Sequence, residues 1–159
     1  MTADDEMSNV YDACGGRFHH DHGYFDGSCE PVNPGGSGGW GFVLYDPSGT
    51  KLADGHGAMR PRPDMTNNVA EYAAAGAAVK RYRELGRRGP LLLMGDSKLV
   101  VMQMKGIWHV KQGAYVPVHR RLRDLLASCP FQVQWEWIPR HVNATADELS
   151  RRGVPRRPR

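Results

Sequence analysis

The stretch LLLMGD, Leu91 to Asp96, decides how the rest of the chain is arranged. Its unbroken apolar run leaves no polar face, the pattern of a strand buried on both sides within a helix-covered sheet. The run Arg87-Arg88-Gly89-Pro90 stops whatever precedes it, and Asp96 closes it. An acid at the carboxyl end of such a strand stands where open α/β sheets place their ligands. Asp96 or Ser97 also suits the N-cap of a short helix read over DSKLVVMQM, Asp96 to Met104, so both roles stay open.

Toward the N-terminus, the Ala-rich run from Val69 to Leu85 has the spacing of a helix. Ahead of it, YFDGSCE (Tyr24–Glu30), WGFVLYD (Trp40–Asp46) and KLADGHGAM (Lys51–Met59) read as strands. The turns between them, NPGGSGG and PSGT, are short enough for antiparallel hairpins. Toward the C-terminus, VPVHRRLRDLLAS (Val116–Ser128) reads as a helix. FQVQWEWIP then alternates as a strand, with Phe131, Val133, Trp135 and Trp137 on one face, and a last helix starts near Asn143. Strands first and alternating helices and strands after give an α/β protein with a mixed sheet flanked by helices.

A chain of 159 residues fits one domain with one real core. The net charge of +4 hides a gradient: Met1–Glu30 carries −6, Pro31–Ser150 +5 and Arg151–Arg159 +5. A basic body suits a polyanion partner. No apolar run has membrane-spanning length, and MTADDEM is unlike a secretory or transit signal, so no membrane partner is expected. Cys14, Cys29 and Cys129 are odd in number and scattered, which argues against a disulfide framework and for a cytoplasmic location. Residues 1–22 read as a flexible extension, in which Cys14, His19, His20 and His22 match no zinc spacing. Residues 153–159 read as a basic disordered tail, leaving 23–152 as the domain.

Four acids stand where local rules favour something else or are indifferent. Asp26 interrupts a strand, on the face of Tyr24 and Ser28; a turn-forming Asp-Gly is its alternative role. Glu71 lines up with Ala75, Ala78 and Tyr82 on the packed face of its helix, or closes a capping box on Asn68. Asp96 ends the buried strand. Asp147, with Asn143 as N-cap, falls in the first turn of the last helix, where the helix dipole also favours an acid. Four carboxylates brought together cannot all stay ionised without cations. Divalent ions with oxygen ligands resolve this, and two ions roughly 4 Å apart are the known device for in-line phosphodiester cleavage.

At these residues the chain resembles the ribonuclease H family, type 1. YFDGSCEPVNPGGSGGWGFVLY (Tyr24–Tyr45) is similar to the family's first hairpin and MTNNVAEYAA (Met65–Ala74) to its first helix start. GDSKLVV (Gly95–Val101) and WEWIPRHVNATADELS (Trp135–Ser150) resemble its central acid-Ser pair and closing helix. The resemblance implies a five-stranded sheet, three strands antiparallel and then two parallel. It implies a metal-dependent endoribonuclease that hydrolyses the RNA strand of an RNA–DNA hybrid with two Mg²⁺ or Mn²⁺ ions, leaving 5′-phosphate and 3′-hydroxyl ends. Asp26, Glu71, Asp96 and Asp147 become the catalytic, metal-binding acids, with Asp26 bridging both ions. Gly27, Ser28, Asn67, Asn68 and Asn143 become substrate contacts, and Thr66 a contact near the DNA-strand phosphates. Arg140 is the accessory catalytic residue, with His141 the second choice. The segment QMKGIWHVKQGAYVP is too short for the basic protrusion of some members and offers only Lys105, Trp108 and Lys111. The likeness implies a monomer and leaves double-stranded RNA open as a further substrate. A DNA-directed nuclease or strand-transfer enzyme on the same fold, and a non-catalytic hybrid-binding module, are the alternatives.

Overall fold

The structure, a computed structural model, describes residues 18–154. Five strands, β1 (Asp21–Glu30), β2 (Ser37–Tyr45), β3 (Lys51–Met59), β4 (Leu91–Gly95) and β5 (Val133–Trp137), form one sheet in the order β3-β2-β1-β4-β5. The hairpin strands pair antiparallel, whereas β1–β4 and β4–β5 are parallel. Four helices flank the sheet: α1 (Asn67–Glu84), α2 (Lys98–Met104), α3 (Val116–Ala127) and α4 (Ala144–Arg151). The mixed α/β sheet expected from the sequence is therefore present, and β4 lies inside it between β1 and β5. No helix among the described residues is long and apolar enough to cross a membrane.

Strand alternation divides the core. Phe25, Phe42, Leu44, Leu91 and Leu93 face α1, whose Ala74, Ala75, Ala78, Val79 and Tyr82 are buried against them. Tyr24, Val43, Tyr45 and Met94 face the other way, onto Ile138, Ala146 and Leu149. The small side chains of α1 let it lie close on the sheet. At Gly27 the approach is so tight that a Cβ would drive into the Ala70–Glu71 peptide. On the opposite face, a Cβ at Gly39 would strike the Ser150 carbonyl of α4. Gly41 meets α4 in the same way, so glycines on β1 and β2 set how near the two helices come to the sheet.

Three boundary readings are corrected. The first strand starts at Asp21, not Tyr24, and the packed chain reaches back to Phe18, ahead of the expected domain start at residue 23 and inside the expected flexible extension. The Phe18 ring stacks on His22 at 3.6 Å, and His22 is fully buried beside Tyr45. Asp21 is held by Arg87, with Nε at 2.6 Å, and by the Tyr82 hydroxyl at 2.8 Å. A polar segment is thereby folded through ion pairing and ring stacking that a hydrophobic pattern does not reveal. Val154 is buried as well, so the packed region passes the expected end at 152. Cys14, the rest of the extension and residues 155–159 lie outside the described residues. Helix α1 is capped by Thr66, whose hydroxyl accepts from the Val69 N–H at 3.2 Å, rather than by Asn68.

Candidate active site

Parallel pairing of β1 with β4 runs from Asp21 opposite Leu91 to Tyr24 opposite Met94. Just past that pairing the two strands present Asp26 and Asp96, and α1 brings Glu71 over them. Oxygen atoms of these three carboxylates all lie within 4.8 Å of one another, and no other metal-ligating cluster occurs among the described residues. Ser97 takes the N-cap of α2, accepting from the Val100 N–H at 3.3 Å, so the Asp96 side chain is left to the cluster. Glu71 makes no capping box; its carboxylate is buried, with Oε2 lacking any hydrogen-bond partner.

The electrostatics follow from this crowding. Burial is the largest cause pushing Asp26 up to about 8, and the charges of Asp96 and Asp147 push the same way. Glu71 is raised well above the usual carboxylate range by burial and then by Asp26. Asp96 is raised by burial, against the pull of the Asn143 hydrogen bond and the Arg140 charge. Three neighbouring acids that all resist ionising form a site short of positive charge.

A cleft of about 520 Å³ surrounds the cluster. Asp147 lines it from the first turn of α4 but stands outside the close trio, accepting from Arg151 Nε at 3.2 Å. Arg140, which opens a 3₁₀ turn over Arg140–Val142, also lines it; His141 is exposed and does not. Gly27 and Asn67 line the cleft, whereas Thr66 and Asn68 do not. Ser28 lines it too, although its hydroxyl donates to the Ser150 carbonyl at 2.9 Å. Asn143 corrects its expected role as a substrate contact. It is 1 % exposed, and its Nδ2 donates to the Phe25 carbonyl at 2.9 Å and to Asp96 Oδ2 at 3.4 Å. It occupies the N-cap position of α4 without a capping bond, because its amide is drawn to β1 and the cluster.

Five cleft residues were not read as site residues from the sequence: Cys29, Glu30, Asn33, Trp137 and Arg151. Asn33 and Asn67 exchange amide bonds, Asn33 Nδ2 to Asn67 Oδ1 at 3.0 Å and Asn67 N to Asn33 Oδ1 at 3.3 Å. Trp137 shares a strand face with the buried Phe131 and Trp135 but is 37 % exposed. Its indole N–H donates to the Asp96 carbonyl at 3.1 Å, and Lys98 sits over its ring at 4.9 Å. Of the five, Arg151 carried a usable signal, since it follows Asp147 by one helical turn.

A family described as reverse transcriptase-like matches residues 24–153. Ribonuclease HI of Pseudomonas aeruginosa is 34 % identical over 155 residues, covering 86 % of this chain and 94 % of that protein. The chain belongs to the ribonuclease H type 1 family. Family membership agrees with the fold. The crystal structure of RNase H1 from Halobacterium salinarum superposes with a TM-score of 0.72 at 32 % identity, covering 82 % of this chain and 94 % of that one. LC11-RNase H1, solved in complex with an RNA/DNA hybrid, gives a TM-score of 0.74 at 30 % identity, covering 81 % and 92 %. A bifunctional protein of Mycobacterium tuberculosis is 37 % identical over 118 residues, which is 74 % of this chain but only 31 % of that protein. The chain thus spans about a third of that relative's length.

Proposed function

We propose that the chain is an endoribonuclease that hydrolyses the RNA strand of RNA–DNA hybrids with two divalent cations, Mg²⁺ or Mn²⁺. The observation that carries this reading is the Asp26–Glu71–Asp96 cluster, with its oxygens within 4.8 Å of one another. The donors fit such ions: they are all carboxylate oxygens, the choice of hard cations, and include a buried Glu71 oxygen with no hydrogen-bond partner. Asp26, Glu71 and Asp96 would hold the cations, and Asp147 would serve as the fourth acid. Bound there, the cations supply an activated water and offset the charge on the leaving 3′ oxygen, consistent with 5′-phosphate and 3′-hydroxyl products. Arg140 sets a fixed positive charge beside Asp96, suited to orienting the scissile phosphate. The Asn33–Asn67 amide pair sits on the same cleft, where amides can read 2′-hydroxyls across a shallow minor groove. Gly27 keeps α1 close enough for Glu71 to reach the cluster. All four acids come from one chain, so a monomer suffices.

The test is cleavage of a labelled hybrid by purified protein with Mg²⁺ or Mn²⁺, beside double-stranded RNA and DNA duplex. The hybrid should be cut and Asp96→Asn should abolish cutting. Activity that survives Asp96→Asn, or none with either ion, would overturn the reading. Equal cutting of DNA duplex would move it to a DNA-directed nuclease.

A further inference from the structure

Arg151 is the last residue of α4 and has no part in the chemistry above, yet it stands in the cleft. Its Nε donates to Asp147 Oδ1 at 3.2 Å, and its Nη1 lies 3.6 Å from Glu30 Oε1. Glu30 ends β1 and is itself buried, a fifth acid on the same wall. One guanidinium therefore spans the end of a strand and the first turn of a helix, binding a carboxylate on each. Asp147 is the acid that stays outside the close trio, and its bonded cation is Arg151.

A guanidinium keeps its charge at any ordinary pH, so it cannot release Asp147 by losing a proton. The hydrogen bond to Asp147, and then the charges of Asp147, Glu30 and Asp26, favour its charged form further. A dication approaching Asp147 must compete with it for the same oxygen. Glu30 supplies somewhere for the side chain to stay when it loses that contest.

We propose that Arg151 is the positioning residue for Asp147: it holds the carboxylate in the cation-free protein, and cation uptake exchanges that bond while Arg151 remains on Glu30. The proposal rests on the cation-site reading above and names the internal competitor of that site. In this arrangement Arg151 weakens cation binding chiefly through its bond to Asp147, and only its unbonded charge is felt at Asp26.

Calorimetric titration of the full chain with Mn²⁺, and separately with Mg²⁺, tests this without any turnover. Four proteins form a cycle: wild type, Arg151→Ala, Asp147→Asn and the double variant. Arg151→Ala should tighten the weakest cation step about threefold or more, a typical size for coupled neighbours. In the Asp147→Asn background the same substitution should have a clearly smaller effect, the part left to the charge felt at Asp26. Arg151→Gln, which keeps an amide and a helix-compatible stem, should tighten binding in the same sense and guards against a folding failure of the alanine variant. Equal tightening in both backgrounds would reduce Arg151 to a diffuse charge and overturn the proposal. Unchanged or weaker binding in both Arg151 variants would overturn it too. Absence of cation binding in the wild type would sink the cation site along with it, whereas binding with unaltered affinities sinks this inference alone.

Discussion

Asp26 and Asp96 each stand two residues beyond Tyr24 and Met94, the last pair that β1 and β4 hold in parallel register. Two strands running the same way therefore deliver two carboxylates side by side at the point where their pairing stops. Glu71 completes the trio from a helix that Gly27 allows to settle on β1. The resulting surplus of negative charge is a property of the fold itself, and it has consequences for stability as well as chemistry.

One concerns pH. An unfolded aspartate loses its proton near pH 4, while folded Asp26 holds it to about 8. Between those values the folded state binds more protons than the unfolded one, so stability falls as pH rises through this window. In chelator, the melting temperature should decline from about pH 5 to about pH 8. Asp26→Asn should flatten the decline and melt higher than wild type at the alkaline end. Saturating Mg²⁺ at that pH should restore the wild-type melt, by about 2–4 °C for each kcal/mol regained. A pH-independent melt in chelator would contradict the crowding.

A second concerns Gly27. A methyl group there meets the backbone of Ala70 and Glu71, which cannot swing aside as a flexible side chain would. Gly27→Ala should push α1 off the sheet and carry Glu71 away from Asp26 and Asp96. The expected cost is about 1–3 kcal/mol of stability, the usual range for overpacking, with weaker cation binding. Denaturant melts and calorimetry check both; a variant with wild-type values in each would show that α1 does not depend on this close approach.

Much of this was legible in the sequence because it rests on local pattern. LLLMG has no polar face and became the inner strand β4; the Ala-rich face of Val69–Leu85 became the packed side of α1, with Glu71 on it. What was hidden depends on partners distant in sequence. Asp21 and His22 look like solvated chain until Arg87, Tyr82 and Phe18 are seen around them. Trp137 obeys strand alternation, yet it ends β5 opposite Gly95 and so meets the cleft instead of the core. Asn143 was read at the right helix position, but its amide turns to Phe25, a contact across 118 residues of chain.

The Asp21 ion pair gives a control remote from the cleft. Its two oxygens accept from Arg87 Nε and Nη2, at 2.6 and 3.2 Å, and the Tyr82 hydroxyl also donates to it. Asp21→Ala leaves that buried hydroxyl with only the Gly89 carbonyl and removes the anchor of β1. It should destabilise by about 1–3 kcal/mol, the penalty of a lost buried hydrogen-bond partner. Cation affinity should be unchanged below the melting range, and a large change there would show that the start of β1 is coupled to the cluster.

Asn143 should matter more than an ordinary helix cap. Its Nδ2 ties the Phe25 carbonyl, next to Asp26, to Asp96 Oδ2, so one amide steadies two of the three clustered acids. Partners that orient metal ligands without binding the metal typically change affinity by about 10–100-fold when removed. Asn143→Ala should weaken Mn²⁺ binding within that range, whereas Asn143→Asp should fail differently. It replaces a donor with another carboxylate beside acids already pushed toward neutrality, and so adds repulsion to the lost bond. Its cation-free melt should therefore lie below that of Asn143→Ala at about pH 8 and approach it as the pH is lowered and the carboxylates take up protons. Identical melts for the two variants across that range would mean that Asn143 acts only as a spacer, with no bearing on the charge of the acids around it.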